Sequence, residues 1–227
     1  MDMRGWTDKD SKRPEYRVLY ERHDFLSAYA QHTDMRVGLD PKGAIGRADE
    51  WETHADLQLQ FLRAHGLTAG SSLLDIGCGT GRLARKAVPF LDPDRYTGVD
   101  ISPAALDHAR ALAEAEGWAA SRPEFVLSEG ALAEFRGRRF DLAWAHSVFT
   151  HLPPEAIRRI IGNLAEMEFN AVLFTYKVAP HARRSGLKQF QYPFSFFDVA
   201  ARSAGLRAGP LPEIWPASQR TGFIRHA

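Results

Sequence analysis

Apolar and polar positions follow two rhythms along this chain. Between residues 51 and 62, Trp51, Ala55, Leu59 and Leu62 recur at helical spacing, with Asp49 and Glu52 ahead of them as an Asp-x-x-Glu capping box. The pattern predicts a helix that ends at His65-Gly66. A short apolar run follows, Leu73, Leu74 and Ile76, which suits a buried parallel strand. Gly77, Gly79 and Gly81 then bring the backbone round a tight turn into Arg82 onward, a stretch of helical composition. Ser102-Pro103 is a good N-cap and first-turn pair, and Pro153-Pro154 opens a helix over 155–165 with Ile157, Ile160, Ile161 and Leu164 at helical spacing. Ala171 to Tyr176 reads as a strand and Thr221 to Arg225 as the last one. Upstream, residues 14–32 are mixed and helical in part, and a loop rich in breakers follows, with Gly38, Pro41, Gly43 and Gly46. Downstream, a basic loop over 180–191 leads to a helix opened by Ser195, with Asp198 completing a second capping box.

A strand, a glycine turn and a helix N-terminus form a cradle that a polar cofactor can approach closely. A dinucleotide fingerprint needs Gly-x-Gly-x-x-Gly, but here the spacing is Gly-x-Gly-x-Gly and Arg82 stands where the third glycine belongs. Asp75, two residues before the first glycine, is foreign to a pyrophosphate site and tolerable beside a cationic ligand. With that acid and spacing, Leu74-Asp75-Ile76-Gly77-Cys78-Gly79-Thr80-Gly81 closely resembles the first motif of the class I methyltransferases, which use S-adenosylmethionine. Tyr96 to Ser102 is similar to that family's second strand and ends in Asp100. A carboxylate there can accept from both ribose hydroxyls, or can serve as a turn or helix cap, and the two roles are compatible. Phe125 to Gly130 resembles the third strand, with Glu129 where many members place an acid near the adenine amino group, or else as an exposed loop residue. Phe140 to Pro154 resembles the fourth strand and the loop where cofactor and substrate meet.

The resemblance implies an α/β, Rossmann-like, doubly wound and mostly parallel seven-stranded sheet, closed by a C-terminal antiparallel hairpin and preceded by an N-terminal helical cap. It implies a single domain over 1–227. Residues 1–66 would form the cap or lid, 71–178 the cofactor-binding half, and 179–227 the substrate loop and closing hairpin. The cofactor-binding residues it implies are Asp75, Gly77, Cys78, Gly79, Gly81, Asp100, Ile101, Glu129, Ala145 and His146. In the lid, the span Gly38 to Gly46 has the glycines of a hinge, and Arg47 is a candidate partner for the cofactor's carboxylate or a surface residue.

Composition narrows the class. A chain of 227 residues with 44% hydrophobic residues can bury a full three-layer core. A net charge of +1 gives no electrostatic case for a nucleic-acid partner. No run of about 18 apolar residues suggests a membrane span, and the start has no apolar core for a signal peptide. The one cysteine, Cys78, excludes an internal disulfide and fits the cytoplasm.

Methyl transfer to a hydroxyl gains from a base, and histidine titrates in the right range. His151 and His146, in the loop after the fourth strand, are the candidate catalytic residues; His181 lies after the fifth strand. His108 reads as a solvated helix residue and His65 as a helix C-terminal cation. Amino methyltransferases of adenine and glutamine carry an Asn-Pro-Pro-Tyr-like tetrad where this chain has Ala145-His146-Ser147-Val148. Cytosine-ring and arsenic methylation need thiols that are missing. Between Leu142 and Pro154 there is no acid, so a hard cation lacks oxygen ligands and no metal site is expected. Methyl transfer to a small-molecule acceptor at oxygen is the function this implies. The alternatives are N-methylation of a protein, tRNA or metabolite, and a non-catalytic S-adenosylmethionine-binding module. The run Arg183 to Lys188 either grips an acidic substrate or is a solvated loop, and the aromatic stretch Gln189 to Phe197 is divided between core and pocket wall.

Overall fold

Local chemistry decides where the helices begin. A computed structural model of the chain describes residues 6, 9–46 and 48–227. Pro14 and Pro41 sit in the first turns of α1 (Pro14–Arg22) and α3 (Pro41–Ala44), where a missing N–H costs nothing. Between them runs α2 (Phe25–Leu39), opened by Asp24, whose Oδ1 accepts from the amides of Leu26 and Ser27 at 3.1 and 3.2 Å. The expected breaker-rich loop is therefore largely helical. Gly38 lies inside α2, and Asp40 caps α3 by accepting from the Gly43 amide at 3.0 Å. Arg47 lies outside the described residues.

The next helix, α4 (Trp51–Ala64), starts without the expected capping box. A 3-10 turn over Ala48–Glu50 takes up Asp49, so Glu50 occupies the cap position and its side chain makes no cap bond. The buried face is Trp51, Ala55, Gln58, Phe61 and Leu62, with Leu59 half-buried. Gln58 accepts from the buried Trp144 indole at 2.9 Å, which explains a polar residue on that face.

Strands β1 (Leu73–Ile76), β2 (Tyr96–Asp100), β3 (Glu124–Leu127) and β4 (Arg139–Ala145) come next, with α5 (Ala84–Phe90) between β1 and β2 and α6 (Pro103–Ala115) between β2 and β3. β1 pairs in parallel with β2 and with β4, and β2 with β3. Then follow α7 (Pro154–Leu164), β5 (Glu168–Tyr176), a small hairpin of β6 (Arg183–Gly186) and β7 (Gln189–Gln191), α8 (Phe194–Ser203), and the closing strands β8 (Leu206–Trp215) and β9 (Gln219–His226). β9 is antiparallel to both β5 and β8. The seven-stranded sheet has the order β3-β2-β1-β4-β5-β9-β8, with β6-β7 as a separate sheet. This is the mostly parallel, doubly wound architecture with a C-terminal antiparallel hairpin and N-terminal helices.

Two local expectations are corrected and a third holds. The span 180–191 is a hairpin, because Arg183 and Arg184 pair with Gln191 and Phe190. α8 begins one residue before Ser195, with Pro193 at its cap, and Asp198 pairs with Arg202 at 3.0 Å in place of a capping role. The helix after Pro153 begins and ends within a residue of expectation, and its four apolar positions are all buried.

By contacts the chain divides into two compact units, Ala30–Glu129 with Arg139–Trp144, and Met1–Tyr29 with Gly130–Arg138 and Ala145–Ala227. The first contains the glycine turn. The second has an aromatic core in which Phe149, Phe174 and Phe197, all fully buried, lie 4.8–5.7 Å apart. Truncating one such ring in a core costs about 3–5 kcal/mol. Among the described residues, no helix is long and apolar enough to cross a membrane.

Candidate functional site

In the first unit the chain reverses its strand order between β1 and β4, and in open α/β sheets ligands sit at that switch, beyond the carboxyl ends of the strands. The glycine turn leaves β1 there. Gly77 and Cys78 donate their amides to the Val99 carbonyl at 2.7 and 3.1 Å, which pins the turn to β2. Gly79 has φ +57°, and a Cβ on it would lie 2.9 Å from the Ile45 side chain. A Cβ on Gly81, at φ +88°, would meet Ala109 of α6 at 3.2 Å. Glycine is required at both positions, once by the approach of Ile45 and once by helix packing.

Asp100 closes β2 beside this turn. Its Oδ2 accepts from the Gly79 amide at 2.8 Å and its Oδ1 from the Ser102 amide at 2.9 Å. Ser102 in turn caps α6 by accepting from Ala105 N at 3.1 Å. Asp100 is thus a cap for the turn, as one reading of the sequence had it, and remains half-buried at the ligand end of the strand. Burial pushes its carboxyl up, the amides of Ser102, Gly79 and Ile101 pull it down, and the charge of Asp34 raises it further. Ile101 follows it, half-buried, and Glu129 is exposed just beyond β3.

Asp75 faces inward, 3% exposed, and accepts from the Tyr96 hydroxyl at 2.6 Å. Desolvation pushes its carboxyl up to about 7, against the Tyr96 hydrogen bond and the charge of Arg82. Arg82 is itself buried. It donates from Nη1 to the Ile45 carbonyl at 3.1 Å, and desolvation lowers its guanidinium to about 10. Cys78 is buried and its thiol is pushed well up by the same effect, which makes it inert. An acid whose folded pKa exceeds its unfolded value stabilises the fold below the unfolded value and loses that contribution as pH rises through the folded one. The Asp75 contribution should therefore fade between about pH 4 and about pH 7, by on the order of a few kcal/mol. Asp75→Asn, which can still accept from Tyr96, is expected to remove that dependence. Urea denaturation of both proteins at pH 5, 6 and 8 checks this, and parallel curves would refute it.

Several residues that hold this site carried no functional signal in the sequence. Asp34 of α2 accepts from the Ser102 hydroxyl at 2.5 Å and the Ala104 amide at 3.1 Å, at the N-terminus of α6. The Thr80 hydroxyl donates to the Pro41 carbonyl at 3.1 Å. His108 is not a solvated residue: its Nδ1 lies 3.1 Å from the Thr80 carbonyl and donates to it, since a carbonyl only accepts. These partners lie about 28–70 residues apart in sequence, and only tertiary structure brings them together.

The second unit contains Ala145, His146 and His151. Ser147 takes φ +61°, a left-handed conformation unusual for serine. A closed network holds it there. Its amide donates to Thr175 Oγ1 at 2.7 Å, that hydroxyl donates to Gln219 Oε1 at 2.6 Å, and Gln219 Nε2 returns to Ser147 Oγ at 3.1 Å. His146 packs its ring against Trp215, centroids 4.9 Å apart. His151 lies 2.6 Å from the Lys188 carbonyl through Nδ1 and stacks on Tyr29 at 6.0 Å. The two histidines thus have different partners. His181 is exposed after β5, and Ala145 is fully buried at the end of β4. The run Arg183 to Lys188 is not a solvated loop: Lys188 is 7% exposed with Nζ 3.9 Å from Asp10, and Arg184 packs among rings. Among the described residues no group of three or more His, Cys, Asp or Glu could hold a metal ion.

A glycine turn capped by an acid on the neighbouring parallel strand, at the switch of a doubly wound sheet, defines a cofactor-binding α/β protein. Comparison with known proteins sharpens the class. Residues 74–167 match the family model described as a methyltransferase domain. Ubiquinone biosynthesis O-methyltransferase of Nitrosococcus oceani is 29% identical over 127 residues, 56% of this chain and 52% of that protein. Ribosomal protein L11 methyltransferase of Nitrosomonas europaea is 42% identical over 82 residues, 34% of this chain and 24% of that protein. The chain spans about half the length of the first of these relatives and about a quarter of the second. Among solved structures, magnesium protoporphyrin IX methyltransferase from Synechocystis PCC 6803 with bound S-adenosylhomocysteine superposes with a TM-score of 0.68 at 17% identity, covering 90% of this chain and 100% of that one. Residues 74–167 are thus similar to a methyltransferase domain, and the fold is that of this solved methyltransferase.

Proposed function

We propose that the protein binds S-adenosylmethionine at the glycine turn and transfers its methyl group to an oxygen of a small molecule. The observation that carries this reading is the junction of Gly79 and Asp100, 2.8 Å from amide to carboxylate, at the ligand end of the sheet. The residues fit the cofactor: the turn has no side chain at Gly77, Gly79 or Gly81, and the half-buried Asp100 offers two acceptor oxygens to a ribose diol. When bound, the cofactor supplies a methyl group already activated on a sulfonium.

The chain's own residues then have three tasks. Asp100 and the turn orient the adenosyl end, and orientation alone contributes about 7–11 kcal/mol in well-aligned models. His151 takes the proton of the acceptor hydroxyl. Its Nδ1 already donates to the Lys188 carbonyl, so Nε2 is the basic nitrogen. The span from Asp34 to Ile45 covers the turn through its contacts with Ser102, Thr80 and Gly79 and restricts water. If that span acts as a lid, amide exchange between residues 30 and 46 slows when S-adenosylhomocysteine binds; identical exchange with and without ligand would make it a static cover.

The O-methyltransferase relative supports oxygen as the acceptor atom, while the ribosomal-protein relative supports a second reading, methylation of a protein. Incubation with methyl-labelled S-adenosylmethionine and either a metabolite extract or a protein extract separates them. Label in a small, base-stable product is expected, at a rate unchanged by chelator because the reading uses no metal. Label in protein alone would favour the second reading, and a loss with chelator that magnesium restores would overturn the metal-free mechanism.

A further inference from the structure

We propose that Arg184 is a positioning residue for His151, acting through the turn between β6 and β7. The proposal rests on the reading of His151 as the base. Lys188, in that turn, offers the carbonyl that holds His151 Nδ1 at 2.6 Å. A carbonyl can only accept, so this contact fixes the proton on Nδ1 and leaves the lone pair on Nε2. Whatever fixes the turn therefore fixes the tautomer and the aim of the ring.

Arg184 is built to do so. Its Nε donates to the Gly186 carbonyl at 3.1 Å and its Nη2 to the Leu187 carbonyl, so one guanidinium grips the two residues that lead to Lys188. The guanidinium is itself held among four rings, 5.1 Å from Trp6, 5.6 Å from Tyr20, 5.3 Å from Phe25 and 5.6 Å from Phe190. Three further ties act on the same hairpin. Leu187 is 1% exposed in a cluster with Tyr16, Tyr20 and Ala28. Lys188 Nζ reaches Asp10, and the Phe190 amide donates to the Thr150 carbonyl at 2.8 Å, next to His151. A lysine at 184 has no planar fork to donate to two carbonyls and stack at once. The basic run thus holds the turn that orients a base.

The test is the tautomer of His151, read by long-range ¹H–¹⁵N correlations in protein labelled at histidine, above the histidine titration range and with S-adenosylhomocysteine present. His151→Gln assigns the signal. In the wild type, His151 is expected to carry its proton on Nδ1. Arg184→Met should convert much of that signal to the Nε2-protonated form, and Arg184→Lys should give a mixture, which serves if the methionine variant does not fold. Arg183→Ala, on the solvent side of the same hairpin, should leave the signal as it is. A wild-type His151 protonated on Nε2, or an Nδ1 signal that survives in both Arg184 variants, overturns the proposal. The readout needs no turnover. If the tautomer follows Arg184 but no acceptor is ever methylated, the positioning stands and the methyltransferase reading falls.

Discussion

Replacing His151 by glutamine should lower methyl transfer by about 10²–10⁴-fold and leave the affinity for S-adenosylhomocysteine nearly intact. That range corresponds to about 3–5 kcal/mol of barrier. Glutamine is the informative change. Its amide can still donate to the Lys188 carbonyl that now holds Nδ1 at 2.6 Å, and it retains part of the packing on Tyr29. What it cannot do is accept a proton. Turnover and calorimetry together give the answer: kcat falls while Kd for S-adenosylhomocysteine holds. Wild-type turnover in His151→Gln would remove that side chain from the chemistry and leave alignment alone to account for the rate.

The opposite pattern is expected for Asp100→Ala. Each charge-assisted hydrogen bond is worth about 1.5–3 kcal/mol, so two lost ribose contacts should weaken binding by about 100-fold or more. The variant also leaves the amides of Gly79 and Ser102 without the carboxylate they now share, so the turn loosens as the ligand contacts disappear. Asp100→Asn retains one acceptor oxygen and should fall between the two. Because burial raises this carboxyl, wild-type affinity should decline as pH drops through its titration, whereas Asp100→Ala has nothing there to protonate. Titration calorimetry at two pH values checks both statements. An alanine variant that binds as the wild type does would show that the acid is only a cap.

The parts of this molecule that were legible in its sequence are those fixed by short-range chemistry. The glycine turn, Ser102-Pro103 and Pro153-Pro154 each place a backbone constraint within a few residues, and each starts or ends an element where expected. The capping boxes at Asp49 and Ser195 failed for a local reason: a 3-10 turn in one case and Pro193 in the other moved the helix start by one or two residues. The stretch from Gly38 to Gly46 was read by its glycines, when Asp40-Pro41 is itself a helix start. The partners of His108, Asp34 and Arg184 could not be read. Their roles come from partners far along the chain: the Thr80 carbonyl, the start of α6, and a ring cluster that joins Trp6 to Phe190. His108 read as a solvated helix residue and the run around Arg184 as a substrate grip or a solvated loop, whereas both side chains hold backbone carbonyls.

The most direct test of the central claim is a calorimetric titration of the wild-type chain with S-adenosylhomocysteine, with a nicotinamide dinucleotide titrated in parallel. The account requires saturable one-site binding of S-adenosylhomocysteine, weakened about 100-fold in Asp100→Ala, and no comparable heat from the dinucleotide. No binding of S-adenosylhomocysteine, or tight binding of the dinucleotide in its place, would contradict it.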